Sequence, residues 1–424
     1  MKKSILFFIV LLLFFKSFSQ HVKNEDLVYD ENIQTVLLHR AGDQLKAPFI
    51  RLGTNDKLQL SFDDMSDETY RFKYTFIHCD RNWRPTQLEQ FEYLDGYMDD
   101  EIVNYTFSVN AIPGYIHYEL QFPGPEIQFK ISGNYILKVY VDEPNDDNVL
   151  FTRRFFVIEP LVNIQTRIPY YPKQLEYTRF KQEVDLVLVT PDLFNAEPMQ
   201  RMSVTIQQNG RWDNAKTNLK PTSISINTLV YDYPKGIVFD GGNDFRHFNM
   251  ESYWYKSMYI REIISNAQGY DVILHTEGTR KGREYETLGD LNGRRIVQAR
   301  KGQVTSTEGE YANVFFSLKI PEIRDAEVHI LGQLNDWQLN QKSRMSYDSR
   351  NRSYIGNLFL KQGYYEYNYV VLKDGETTAD ITEIEGDHWE TDNDYTIYVY
   401  YREKVPEYDR LVGYTTINSR EAER

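Results

Sequence analysis

The sequence predicts an all-β protein of three tandem β-sandwiches. Aromatic residues are abundant, with 33 Tyr and 24 Phe in 424 residues, and such side chains favour pleated, half-buried strands. Apolar residues recur with period two in segment after segment, the mark of a strand with one face on a core. Clusters of Gly, Pro, Asn and Asp punctuate these segments as turns. About seven short strands in a module of this size is the immunoglobulin-like pattern. The expected division is residues 20–160, 161–302 and 303–404, preceded by a signal peptide at 1–19 and followed by a charged tail at 405–424.

The signal peptide rests on Lys2 and Lys3, an uninterrupted apolar run over 5–15, and the small residues Ser17 and Ser19 before Gln20. The run is shorter than the roughly 20 apolar residues a membrane span needs, and no second run is long enough. The protein is therefore expected to work outside the cytoplasm.

In the first module, Tyr70, Phe72, Tyr74 and Phe76 fall on one face of a strand and Arg71, Lys73 and Thr75 on the other. Leu58, Leu60 and Phe62 repeat the pattern, as do Ile116, Tyr118, Leu120 and Phe122. Residues 135–141 and 152–158 form a hairpin whose long loop, 142–148, is rich in turn formers. Pro160, Pro169 and Pro172 then favour an extended crossing into the second module.

In the second module, Val184, Leu186 and Leu188 mark one strand. Asn209-Gly210 after residues 203–207 signals a hairpin. Residues 236–240 and 270–275 read as later strands, and 241–248 as an irregular loop entering a strand or short helix. Residues 301–310, polar and glycine-bearing, read as a linker. The third module draws its strands from Val314, Phe316 and Leu318, from Val328 and Ile330, from Tyr354 and Leu358, and from Tyr365, Tyr367 and Tyr369. Residues 395–401 (YTIYVYY) are expected to close it.

Charge excludes several functions. The chain carries −14, and removing residues 1–19 takes away three lysines and no acids, leaving −17. Such a protein is ill suited to nucleic acid, whose affinity comes from phosphate neutralisation, and to anionic membrane surfaces. With one cysteine, Cys79, no internal disulfide can form. Cys79 reads as a small buried hydrophobe. His78 beside it points to the opposite strand face, so the two make no nucleophile–base pair.

No phosphate-binding glycine loop, nucleophile elbow, metalloprotease helix or dinucleotide fingerprint occurs. The eight histidines are scattered. No catalytic residue, metal ligand or cofactor is expected. The acidic run at 142–148 lacks the spaced glycine and distal glutamate of a calcium loop and reads as a solvated hairpin tip.

The third module carries a sharper pattern. Gly332-Gln333-Leu334-Asn335-Asp336-Trp337 precedes Gly363-Tyr364-Tyr365-Glu366-Tyr367-Asn368-Tyr369. This resembles the early-set sandwich of glycogen-binding modules, with their G-x-F-N-x-W turn and later G-x-Y-x-Y-K-F segment. The resemblance makes Trp337 the candidate binding residue, on a glycan-like face. Asn368 stands where that family has Lys. Thr377 stands where it has a second stacking Trp after the turn Asp374-Gly375. A sugar platform needs paired aromatic faces, so the resemblance is read as one of fold, with glycan binding lost.

Taken together, several segments resemble one family, the plug proteins of the Bacteroidetes type IX secretion system. They are His78-Cys79-Asp80 with Trp83, Pro85 and Leu88; Glu92-Tyr93-Leu94-Asp95-Gly96; the acidic Asp99-Asp100-Glu101, with Asn104-Tyr105, Phe107 and Ser108 after it; Tyr115, His117 and Tyr118 before Phe122-Pro123; Ser132-Gly133-Asn134-Tyr135 before Arg153-Arg154-Phe155; Gly241-Gly242-Asn243-Asp244-Phe245-Arg246; and the endings Glu390-Thr391-Asp392-Asn393-Asp394-Tyr395 and Val399-Tyr400-Tyr401-Arg402. The resemblance covers nearly all of the chain after residue 19. It implies a non-enzymatic periplasmic subunit, monomeric when free. Its partner would be the large outer-membrane β-barrel translocon, whose periplasmic mouth it closes at rest. The alternative is a periplasmic glycan-binding multi-domain protein resting on Trp337.

Overall fold

The computed structural model describes residues 22–66, 68–191 and 197–420. The expected signal peptide lies outside these residues. The described chain is almost entirely strand, arranged as three two-sheet sandwiches. No helix among the described residues is long and apolar enough to cross a membrane.

The first sandwich is built where alternation predicted it. One sheet runs Leu27–Val28, Val149–Ile158, Gly133–Val141, Phe72–Cys79, Asp99–Glu101, with Phe49–Arg51 added in parallel to Val149–Ile158. The facing sheet runs Ile33–Arg40, Leu58–Asp64, Ile116–Phe122, Asn104–Phe107. Period-two side chains meet between them: Phe62, Phe72, Phe76, Tyr118 and Phe155 share one core, and Phe62 stacks on Tyr118 with centroids 5.1 Å apart. The loop at 142–148 is solvent-facing, a single 3-10 turn over Asp146–Asn148 capped by the Asn145 side chain.

The expected half-wet strands of this module are drier than alternation implies. Gly133–Val141 is buried at every position but its last. The second face is covered by the middle sandwich, through Ile136, Phe156 and Ile158 packed on Tyr398, Tyr400 and Leu411.

The boundaries between the second and third modules need correction. The strand Asp394–Arg402, expected to close the third sandwich, pairs antiparallel with Met202–Gln208 of the second, from Met202 opposite Tyr401 to Gln208 opposite Tyr395. The residues expected as a frayed tail form a ten-residue strand, Asp409–Asn418, on its other side. Conversely, Arg246–Asn249 and Arg295–Val297 pair with Gly363–Lys373, and Ile260–Asn266 and Gly269–Leu274 join the sheet of Tyr311–Leu318 and Ser353–Lys361. The third sandwich is thus an insertion: the chain leaves the second after Val238–Asp240 and returns at Asp394. Alternation reports which residues face a core, not which strand lies alongside. The linker at 301–310 also differs. It holds the short helix Thr305–Glu308, and Thr307 and Gly309 accept hydrogen bonds from Val109 N and the Tyr115 hydroxyl of the first sandwich.

Tyrosine is the filler of these cores. Nine of the twelve largest fully buried side chains are Tyr, so each hydroxyl needs a partner. Tyr367 and Tyr369 both donate to Glu277 (2.7 and 2.9 Å), Tyr398 to Gln207 (2.8 Å), and Tyr400 to Asn134 across the seam of the first two sandwiches (3.0 Å).

Candidate functional site

The turn after Ala326–Leu331 sits where all three sandwiches meet. Gly332 opens it, and the short 3-10 turn Gln333–Asn335 follows. The Asn335 side chain accepts from Gly332 N and donates to Ile330 O and Gln338 O, so the loop closes on itself. Asp336 and Trp337 then adopt φ of +56° and +58°, a conformation costly for an ordinary residue and kept only where the surroundings demand it.

Those surroundings are a charge clamp. The Asp336 carboxylate accepts from Arg153 Nη2 of the first sandwich at 2.8 Å and from Arg295 Nη2 of the third at 3.1 Å. Both arginines are buried, and both also donate to the Val36 carbonyl, at 3.4 and 3.0 Å. A buried guanidinium without a carboxylate would be strongly unfavourable, so Asp336 holds two sandwiches in one arrangement.

Trp337 belongs to the same junction. Its half-buried indole lies edge-on to Phe245, with centroids 5.9 Å apart. It also lies against Gly210 in the hairpin of the second sandwich and Gly293 of the third, both at positive φ. A side chain at Gly293 would collide with the ring. The other two glycan-pattern positions are not arranged around Trp337: Asn368 is buried and accepts from Arg280 at 3.2 Å, and Thr377 is an exposed turn residue. The ring that sequence nominated as a sugar platform packs between modules.

Two further contacts join the modules. Asp63 of the first sandwich and Lys361 of the third form a buried pair, with Tyr311 and His117 also on the carboxylate (2.5 and 2.6 Å). Burial lowers the Lys361 pKa despite the attraction of Asp63. Between the first and second sandwiches, the Arg154 guanidinium lies over Trp83 (4.5 Å) and Trp212 (5.0 Å), a cation–π arrangement strengthened by the dry seam. Cys79 is buried in this seam. Burial, with Asp80 nearby, pushes its thiol up to about 12, which removes the thiolate a nucleophile needs.

Two buried carboxylates, Glu366 and Glu385, hold the fold near this junction. Glu366 accepts from Leu291 N, Gly293 N and the Tyr364 hydroxyl, and so holds the loop on which Trp337 rests. Burial and the neighbouring Asp290 push Glu366 up to about 8; burial and Asp244 push Asp290 up to about 7. Glu385 is the opposite case. Burial disfavours its charge, but Arg246 and Arg280 outweigh this and hold it below the usual range. No group of three or more His, Cys, Asp or Glu is placed to hold a metal ion among the described residues. Sequence found the turn and Trp337. It missed the pairing of Arg153 and Arg295 with Asp336 and of Asp63 with Lys361, since the partners lie far apart in the chain.

Residues 33–159, the first sandwich, match the family model "Type 9 secretion system plug protein 1st domain". Among solved structures, a hypothetical protein from Parabacteroides merdae, determined by crystallography at 2.30 Å, is similar over 94% of this chain and 100% of its own. The two share 31% identity with a TM-score of 0.89. No curated protein matches the chain. The likeness runs through all three sandwiches and the family model covers the first of them; the chain belongs to the plug protein family of the type 9 secretion system.

Proposed function

We propose that this protein is a non-enzymatic periplasmic plug, which closes the periplasmic mouth of the outer-membrane translocon barrel of the type 9 secretion system at rest. Family membership supports the secretion role. The observation that carries the stopper reading is the junction: Asp336 binds Arg153 and Arg295 from two sandwiches at once. A body that must obstruct an aqueous opening by bulk has to resist deformation. Three sandwiches joined by buried ion pairs and aromatic seams resist it better than beads on linkers. Release on arrival of cargo requires the contact with the barrel, not the fold, to be the weak link, which favours an interface of moderate size with a polar rim.

The test is co-purification. Affinity-tagged protein, extracted from cells in mild detergent, is expected to bring down one large outer-membrane barrel in stoichiometric amount. Recovery of the protein with no barrel under several gentle conditions would overturn the reading.

A further inference from the structure

Among the described residues, one edge of the first sandwich has no strand paired to it. Asn104–Phe107 is the last strand of its sheet, bonded only to Ile116–Phe122 among the described residues, so one row of backbone N–H and C=O groups is free. Proteins usually blunt such an edge with lysine, proline or a covering loop. Here it is apolar: Val103, Tyr105 and Phe107 are 69, 49 and 58% exposed. Beside it, before the facing sheet's edge strand Asp99–Glu101, Tyr97 and Met98 are 60 and 51% exposed. Apolar side chains gathered at a bare edge mark a contact surface.

Acidic residues outnumber basic ones on the strands beside this edge. Asp99, Asp100 and Glu101 lie on the facing sheet's edge strand and Asp95 on the short strand Leu94–Gly96 before it; Asn104–Phe107 itself carries no charge. None of the four is in an ion pair among the described residues, although Lys73 lies opposite Glu101 in the register. A free hydrogen-bonding row favours an extended guest over a helix. Asp99 and Asp100 accept from the Tyr140 and Tyr74 hydroxyls, at 2.8 and 3.4 Å, but no cation among the described residues neutralises them. Exposed aromatic rings favour apolar side chains on the guest, and carboxylates without an ion pair favour Lys or Arg.

We propose that Asn104–Phe107 is a strand-addition site for an extended segment of a partner protein bearing alternating apolar and basic residues. That this partner is the translocon rests on the function proposed above; the site itself does not.

Hydrogen exchange on the full chain tests the site with a defined probe, an alternating valine–lysine decapeptide. The peptide is expected to slow exchange at residues 104–107, and an alternating valine–glutamate decapeptide is not. The double variant Val103→Lys/Phe107→Lys, at positions exposed enough to leave the fold intact, should bind the probe about tenfold more weakly, the loss expected for two anchors. Ile226→Lys, at a position 91% exposed on the second sandwich, should bind like wild type. Unchanged exchange at 104–107, or equal protection by both peptides, would overturn the proposal. Barrel co-purification separates the two ideas. If the double variant still brings down the barrel as wild type does, the edge is not the docking site and the plug reading stands. If the probe binds the edge but wild type brings down no barrel, the plug reading falls and the site stands.

Discussion

Asp63 and Lys361, 298 positions apart in the chain, meet in a buried ion pair with Oδ2 2.7 Å from Nζ. The two side chains are 1% and 2% exposed, and one belongs to the first sandwich, the other to the third. Removing one partner of such a pair costs more than the pair contributes, because the survivor is left charged and dry. Lys361→Met is therefore expected to destabilise the protein by about 3–5 kcal/mol. Adding Asp63→Asn to it should recover part of that loss, since the buried charge is removed, while His117 and Tyr311 lose a carboxylate acceptor. Urea denaturation of the three proteins checks this; an additive double variant would contradict it.

Trp337 is expected to report on module packing and not on sugars. Gly293→Ala places a methyl against the indole and against Phe245, at φ +77°. The change should cost about 1–3 kcal/mol in strain and overpacking and shift the tryptophan fluorescence. Titration of wild type with soluble α-glucans should leave that fluorescence unchanged. Saturable quenching by a glucan would restore the sugar-platform reading of the turn.

Stability should fall as pH rises above neutrality. Glu366 and Asp290 are raised to about 8 and about 7 in the folded state, against 4.5 and 3.8 for the free side chains. Between those limits the native state holds protons that the unfolded chain has released. The contribution is complete below about pH 4 and is lost as pH rises through 7 and 8. The buried His78, lowered to about 4 by desolvation, acts in the opposite sense, but below pH 6.5. Melting temperatures from pH 7 to 9 should decline, and Asp290→Asn, which removes one charge and relieves Glu366, should flatten the decline. A wild-type curve that is level across this range would contradict the assignment.

Faces were legible in this sequence, and partners were not. Phe62, Phe72 and Tyr118 announce a shared core through period-two spacing, and the core is where they meet. The strand Asp394–Arg402 announced itself as a strand, but nothing in its alternation says that Val399 lies opposite Val204 and not beside a neighbour in sequence. One sign was present: Tyr395, Ile397 and Val399 on one face and Tyr398 and Tyr400 on the other make both faces apolar. A central strand covered on two sides has that composition, a closing edge strand does not. Trp337 was legible as a turn residue of a sandwich. Its neighbours Gly210 and Gly293 come from distant segments, so sequence could not tell a ring awaiting sugar from one already packed. The clamp at Asp336 was invisible for the same reason: Arg153 and Arg295 reach it from separate sandwiches.

The claim that this protein seals a large pore is tested most directly by the outer membrane's permeability to a small fluorescent dye in cells lacking it. Deletion should make the envelope leak dye, and complementation with the intact chain should restore the seal. Cells without the protein whose envelope excludes the dye as well as wild type does would contradict the account.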